Sequence, residues 1–450
     1  MTLTAKIFST LGNPHSLVPL AAKDCVNGLG MTAASSITSK DEGVDRFIDE
    51  FGSEAIWIGG IPLFKKITDK TLFKAANFDP EYDVRNLKNN DIYQKTIEWA
   101  PTEEIQNKIK HIGAHQKAFK NLSAAKFALS TSLALGAYNV MTNLKQKYTD
   151  NKIREKLIKQ NEEKSINLMN NKGGTINQIK DLHFQNLAGL RNQNKNNSIN
   201  CPNFKGLYDV MLDPVKNMYV LDTGITSERL MKSRSPQEFT GYAIKEGGFL
   251  FFMYYLGQKV QSHFEKVADK KHNKSVELDS RVLEDDKFKQ AFADKSIENS
   301  LNEFPKMKTD AELYDFINKN PENLVIQAAK QSDAIKTYKK PQKWYQIFQK
   351  PEDTGKIDTR KYINLDNIRN IHSNMSKLYN QFNNSNQNID SFFKDVRKLK
   401  RGTVMKNIGS TVFALGFVLP SIMLADRFLR TDNKEFAVEK NIKEQLKQEK

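Results

Sequence analysis

The chain has 450 residues, with 69 Lys and Arg against 53 Asp and Glu, a net charge of +16 and a mean hydropathy of −0.61. Hydropathy this low excludes a protein embedded in lipid throughout, and the length leaves room for two or three domains or for one domain with membrane elements. The two cysteines, Cys25 and Cys201, lie far apart in unlike contexts, which excludes a disulfide framework and supplies no metal motif.

The charge is uneven along the chain. Residues 1–54 hold 4 basic and 7 acidic groups, residues 145–235 hold 16 and 9, and residues 330–401 hold 16 and 7. The excess is mostly Lys and forms no compact Arg block. It therefore suits anionic lipid headgroups or an acidic protein partner better than nucleic acid, where bidentate Arg contacts carry the reading.

The first 24 residues have no sustained apolar core and no cleavage pattern, so they do not read as a cleaved signal peptide. The first forty are rich in Gly, Ser and Thr and carry no assignable element. Ser39-Lys-Asp-Glu42 has the form of a capping box. After it, Val44, Phe47, Ile48, Phe51 and Ala55 recur at helical spacing, with Asp45, Asp49, Glu50 and Glu54 on the opposite face. This amphipathic helix runs into the short apolar segment 55–64. The pair Gly59-Gly60 and Pro62 predict a break there, giving a re-entrant or interfacial hairpin or a packed turn. Trp57 beside Lys65 and Lys66 fits an interfacial belt or an ordinary core.

Pro101-Thr-Glu-Glu104 opens a second helix, which is expected to continue into the uncharged stretch 127–144. This stretch is a candidate span. Ala124, Ala128, Ser132 and Gly136 fall every four residues along it, a small-residue stripe suited to close helix packing in a membrane. Gly173-Gly174 predicts a stop, residues 191–205 read as a polar loop, and 207–222 as a short hairpin by alternation. Ser235-Pro-Gln-Glu238 is the clearest helix start. The helix carries Lys245-Glu246 and then the apolar segment 247–257, too short to span unless that pair sits near an interface.

Residues 273–388 lack a long apolar run and read as a soluble helical region with a basic second half. Thr309-Asp-Ala-Glu312 caps one helix, and Leu365, Ile368, Met375, Tyr379 and Phe382 mark another with the heptad-like stripe of a coiled coil. Ile389, Phe393, Val396 and Leu399 form an amphipathic lead-in to the strongest apolar run, 407–425. That run is nineteen uncharged residues with nine Ile, Val, Leu or Phe. As a helix it covers about 28 Å, and those nine residues favour insertion by about 3 to 5 kcal/mol. A polar helical tail follows.

Chemical signatures are sparse. His111 and His115 sit one turn apart with Glu104 earlier on the helix, but no third ligand is evident. The glycine pairs 59–60, 173–174 and 247–248 form no phosphate loop, and neither cysteine has a catalytic setting. Tyr338, Trp344, Tyr345 and Phe348 interleave with Lys336, Lys339, Lys340, Lys343 and Lys350, a pattern for headgroups or a solvated loop.

The sequence thus predicts an all-α chain: long helices with two candidate transmembrane spans, two shorter apolar (re-entrant or interfacial) segments and a soluble helical region. The expected units are 1–100, 101–172 with the span 127–144, 173–272 with the segment 247–257, 273–388, 389–431 with the span 407–425, and 432–450. No catalytic, cofactor-binding or metal residue is nominated, and the chain reads as a non-enzyme. The leading expectation is an integral membrane scaffold or anchoring protein whose basic helical region meets anionic lipid or an acidic partner, with helix–helix self-association open to it. A transport or pore-forming protein is the alternative, with Lys245 and Glu246 as polar elements of its passage. A soluble helical scaffold or effector is the third.

Overall fold

The computed structural model describes residues 3–13, 16–171, 207–304, 308–340, 351–429 and 437–448. It is 82% helix and 2% strand, which agrees with the all-α expectation. The Gly-, Ser- and Thr-rich start, whose composition obscures any periodicity, forms α1 (Leu3–Gly12) and α2 (Leu17–Thr38). α3 (Lys40–Ala55) and α4 (Ile61–Thr68) follow, then α5 (Asn90–Glu98), α6 (Glu103–Ala114) and α7 (Gln116–Asn171). α7 has 56 residues and is about 84 Å long at 1.5 Å per residue. α8 (Leu207–Leu212) and α9 (Pro214–Met231) replace the hairpin expected from alternation at 207–222. Asp213 caps α9 and Pro214 presets its first turn, local signals that outweigh a weak period-two pattern. α10 (Pro236–Leu250) runs on into α11 (Gly257–His272).

α12 (Ser280–Leu283), α13 (Asp286–Ala293), α14 (Ser296–Glu303), α15 (Asp310–Lys319) and α16 (Leu324–Gln331) build the region after α11. A two-stranded antiparallel hairpin, β1 (Thr337–Lys339) and β2 (Asp353–Ile357), pairs Thr337 with Ile357 and Lys339 with Asp353. α17 (Leu365–Asn383) then carries the predicted stripe inward, burying Leu365, Ile368, Met375 and Tyr379. α18 (Ile389–Phe413) and α19 (Leu419–Leu429) form one bent helix, and α20 (Ala437–Gln448) packs on α7 through Val438 and Ile442 against Ile153 and Leu157.

Six elements close a ring. α2 packs on α3, α3 on α7, α7 on α9, α9 on α10, α10 on α19, and α19 on α2. Its apolar core includes Met31, Trp57, Ala134, Leu221, Phe249, Leu415 and Leu419. A separate core gathers α12 to α17 with the lower part of α18, around Phe292, Tyr314, Ile326, Leu378 and Phe393. A third joins Phe73, Phe78, Tyr82, Ile109 and Phe119.

The break predicted at Gly59-Gly60 and Pro62 does not occur. α3 passes into α4 through a π-helical turn, Ile56–Gly60, where the Ile61 N–H donates to the Ile56 carbonyl five residues back. The widened turn sits just ahead of Pro62, which has no N–H to give to the ordinary partner, so the helix adjusts and continues. The segment 55–64 is thus neither re-entrant nor a hairpin. The same device recurs at Phe251–Leu256, so 247–257 is the middle of one helix from 236 to 272, and at Ala414–Val418, ahead of Pro420. There α2 and the bent helix nearly touch: a Cβ on Gly30 would lie 2.7 Å from the Gly416 carbonyl oxygen. Conversely, the predicted continuity from α6 to α7 fails, because His115 leaves the helical region (φ −122°, ψ 38°).

Among the described residues one helix, Ile389–Leu429, is long and apolar enough to cross a membrane. The candidate at 127–144 falls short, diluted by Ser130, Thr131, Ser132, Asn139, Thr142 and Asn143. Its expected packing stripe is also displaced. Ala128, Ser132 and Gly136 are exposed, and the face turned inward is Ser130, Ala134, Tyr138 and Thr142. Gly173-Gly174, the 191–205 loop, Cys201, and Lys343, Trp344, Tyr345, Phe348 and Lys350 lie outside the described residues.

Candidate functional site

α3 has two faces, and the sequence does not state which one faces the core. The structure turns the charged face inward. Asp49 is 1% exposed and Glu50 3%, and Glu42, Asp45 and Glu54 are buried with them. Val44 and Phe47 on the opposite face are 44% and 47% exposed. The other ring helices follow suit, with Leu29 and Ile37 of α2, Leu129, Leu133 and Val140 of α7, and Phe413, Phe417 and Ile422 of the bent helix all on the outside.

The inward charges form a ladder of alternating sign. Arg234 reaches Asp45 (3.3 Å), Asp45 meets Lys145 (3.3 Å), Lys145 meets Asp49 (3.3 Å), and Asp49 meets Arg229 (3.2 Å). Arg229 then pairs with Glu246, Glu246 with Lys245 (2.7 Å), and Lys245 with Glu50. Acids come mainly from α3 and bases from α7, α9, the turn after α9 and α10, so the acidic start of the chain meets the basic middle. Hydroxyls complete the network: Tyr138 donates to Asp49 (3.0 Å) and accepts from Arg229 Nε (2.6 Å), and Thr149 donates to Asp45 (2.8 Å). At the outer end Arg427 of α19 clasps Glu42 with both terminal nitrogens. This explains why the expected capping box at Ser39 does not form: Ser39 makes no side-chain cap, and Glu42 is drawn to Arg427. Each charge taken from water costs several kcal/mol unless partnered, which is why the pairs come as an unbroken series.

Beyond Glu50 the ladder opens on a small cavity lined by Asp24, Asn27, Glu50, Ser53, Trp57, Asp222, Arg229, Lys245, Glu246 and Phe249, with about 20 Å³ for the centre of a water molecule. That is room for one. Tyr254 donates to Asp222, and the Cys25 thiol to Glu54 (3.1 Å). Asp24 and Asp222 make no ion pair among the described residues. Chemically, the arrangement is an oxygen-rich chamber at the end of a chain of buried ion pairs.

Of the residues singled out from sequence, Lys245 and Glu246 are buried within this network and line the cavity at its end. Trp57 packs in the ring core and not as an outward belt. The His111 and His115 rings pack at a tilt, with centroids 4.6 Å apart; His111 also packs on Phe78, while Glu104 pairs with Lys108. Asp24, Asn27, Lys145, Asp222 and Arg229 carried no signal of their own, though bases placed among apolar helical residues hint at buried partners. Comparison with protein-family models, with curated proteins and with solved structures returns no match.

Proposed function

We propose that the chain is an integral membrane protein whose six-helix ring lies in the bilayer and whose charged interior serves a pathway for a small polar solute or ion. The observation that carries this reading is the inversion of α3 and its neighbours, with charges inside and apolar side chains outside. In water that arrangement is unfavourable on both counts. Against lipid it is favourable outside, and ionisable groups held inside such a bundle mark transport paths by default. The long apolar helix Ile389–Leu429 supports the same placement. The ring would bring α2, α3, α7, α9 and α10 into the membrane although none is apolar enough alone, because their polar faces meet one another.

The scaffold or anchoring reading draws on the basic stretch 330–401, suited to anionic headgroups or an acidic partner. It leaves the ladder without a task, since a bundle built only to anchor is served as well by apolar packing.

The test has two stages. Protein from a membrane pellet is washed with high salt and then with carbonate; it should resist both, and release by carbonate would remove the ring from the bilayer. Purified protein is then reconstituted in vesicles. Ion or proton flux above that of empty vesicles, lost in a Lys245→Met, Glu246→Gln double variant, is expected. Carbonate-resistant protein with no flux would sink transport and favour the anchor.

A further inference from the structure

The cavity at the end of the ladder holds more carboxyl groups than cations. Four carboxylates line it, Asp24, Glu50, Asp222 and Glu246, against the two cations Arg229 and Lys245. Both cations are already engaged: Lys245 by Glu50 and Glu246, Arg229 by Glu246 and Asp49. Asp24 on α2 and Asp222 on α9 remain without a cationic partner among the described residues. The hydroxyl of Tyr254 orients Asp222 but brings no charge. Independently, Asn27 is 1% exposed, lines the same cavity, and its Oδ1 has no hydrogen-bond partner. A buried carboxamide oxygen left unpaired is unfavourable, and a ligand seated among these oxygens removes that cost.

We propose that this cavity binds one small monovalent cation between the carboxylates of Asp24 and Asp222 and the carboxamide oxygen of Asn27. The proposal deepens the transport reading and rests on it. All three donors are oxygens, the set preferred by hard cations. The space, about 20 Å³ for the centre of a water-sized particle, suits a small ion that has shed most of its hydration shell. The ammonium of Lys245 and guanidinium of Arg229 on the same wall weigh against a doubly charged ion. The positive charge can arrive as a sodium ion or as a proton on a carboxylate or on water. The charged and titratable groups facing the two aspartates are Glu50 and Glu54 of α3, Arg229 of α9, and Lys245, Glu246 and Tyr254. The short run of buried pairs behind the cavity, Lys245 to Glu50 and Glu246, gives the ligand's charge something to displace.

The experiment is thermal unfolding of the full chain in lipid nanodiscs, with sodium chloride exchanged for choline chloride at constant ionic strength, at pH 6 and at pH 8.5. If sodium is the ligand, the midpoint rises saturably by a few degrees with sodium. If the proton is the ligand, sodium has no effect and the midpoint falls between pH 6 and 8.5. Either response should vanish in Asp24→Asn and in Asp222→Asn, and shrink in Asn27→Leu. Asp24→Asn carries the test if Asp222→Asn fails to fold, because the Asp24 carboxylate holds no hydrogen bond that the change would break. Identical responses in wild type and Asp24→Asn would overturn the site. Flux that survives this variant would overturn the site and leave transport standing; a cation response without flux would do the reverse.

Discussion

Arg229 bears the most constraints of any side chain in the ring. It touches Tyr138, Asp49, Ser53 and Glu246, and its Nη2 also donates to the Asp49 carbonyl (3.1 Å). Removing one partner from such a pair leaves the other buried and uncompensated. Arg229→Leu or Asp49→Leu alone is expected to cost about 3 to 5 kcal/mol, and the double variant well under the sum. Denaturant unfolding in detergent micelles would show this, and full additivity would mean the pair is not coupled. Arg229→Lys should not restore stability, since an ammonium cannot serve separated acceptors in the plane of a guanidinium. Glycines allow a second comparison. At Gly30 the obstruction is backbone, the Gly416 carbonyl, so Gly30→Ala forces the helices apart at about 1 to 3 kcal/mol. At Gly136 nothing lies within 4 Å, and Gly136→Ala should stabilise α7 by about 0.5 to 1 kcal/mol through helix propensity. Equal effects at the two sites would refute the close approach.

At the scale of elements, α3 carries the sharpest consequence. Its apolar face points away from the ring, so Phe47→Lys or Val44→Lys places a charge where lipid is proposed. Insertion scales set this at about +2.5 to +3.5 kcal/mol for a central position, and the expected result is loss of protein from the membrane fraction. A protein whose outer face meets water would tolerate either change, or gain solubility from it. Outside the ring, α5 and α15 are joined by Asp315, which accepts from Lys95 (2.8 Å) and from Trp99 Nε1 (3.0 Å). Partial burial works against the Asp315 carboxylate, but the hydrogen bonds from Lys95 and Trp99 outweigh it and hold the group below its ordinary value. A carboxyl lowered on folding contributes stability that is present above its unfolded pKa, about 3.9, and is lost as pH falls through the folded value. The α5–α15 contact should therefore weaken below about pH 4. Asp315→Asn should flatten that part of the acid titration of unfolding, read by Trp fluorescence. Caps were the most legible local feature: Ser235 accepts from the Glu238 N–H and Thr309 from the Glu312 N–H as their spacing predicts, because a cap needs only four consecutive residues. The bulged turns before Pro62 and Pro420 were not legible, because a proline marks a helix boundary in most settings and continuity here depends on what packs alongside.

For the whole molecule, the apolar exterior predicts a bound detergent collar. In solution without detergent the chain should aggregate, and in detergent its light-scattering mass should exceed the 51.5 kDa of the polypeptide by that of a micelle. A monodisperse particle of polypeptide mass in plain buffer would contradict the membrane placement. The same architecture occupies part of the 69 Lys and Arg without adding to the net charge. Lys145, Arg229, Arg234 and Lys245 are consumed by Asp45, Asp49, Glu50, Glu238 and Glu246 inside the ring and present nothing to an outside partner.

The sequence by itself determined that the chain is helical, where several helices begin, and that 407–425 is its most apolar run, because periodicity, capping and hydropathy are properties of neighbouring residues. It also determined that α3 has a charged face and an apolar face. Which face turns inward was decided only by tertiary structure. Amphipathicity is symmetric under exchange of inside and outside, and the exchange is settled by partners far along the chain: Lys145, Arg229 and Lys245 converge on Asp49 and Glu50 from three other helices. The cavity between Asp24, Asn27 and Asp222 belongs to the same class, since residues nearly two hundred positions apart become one site only when the ring closes.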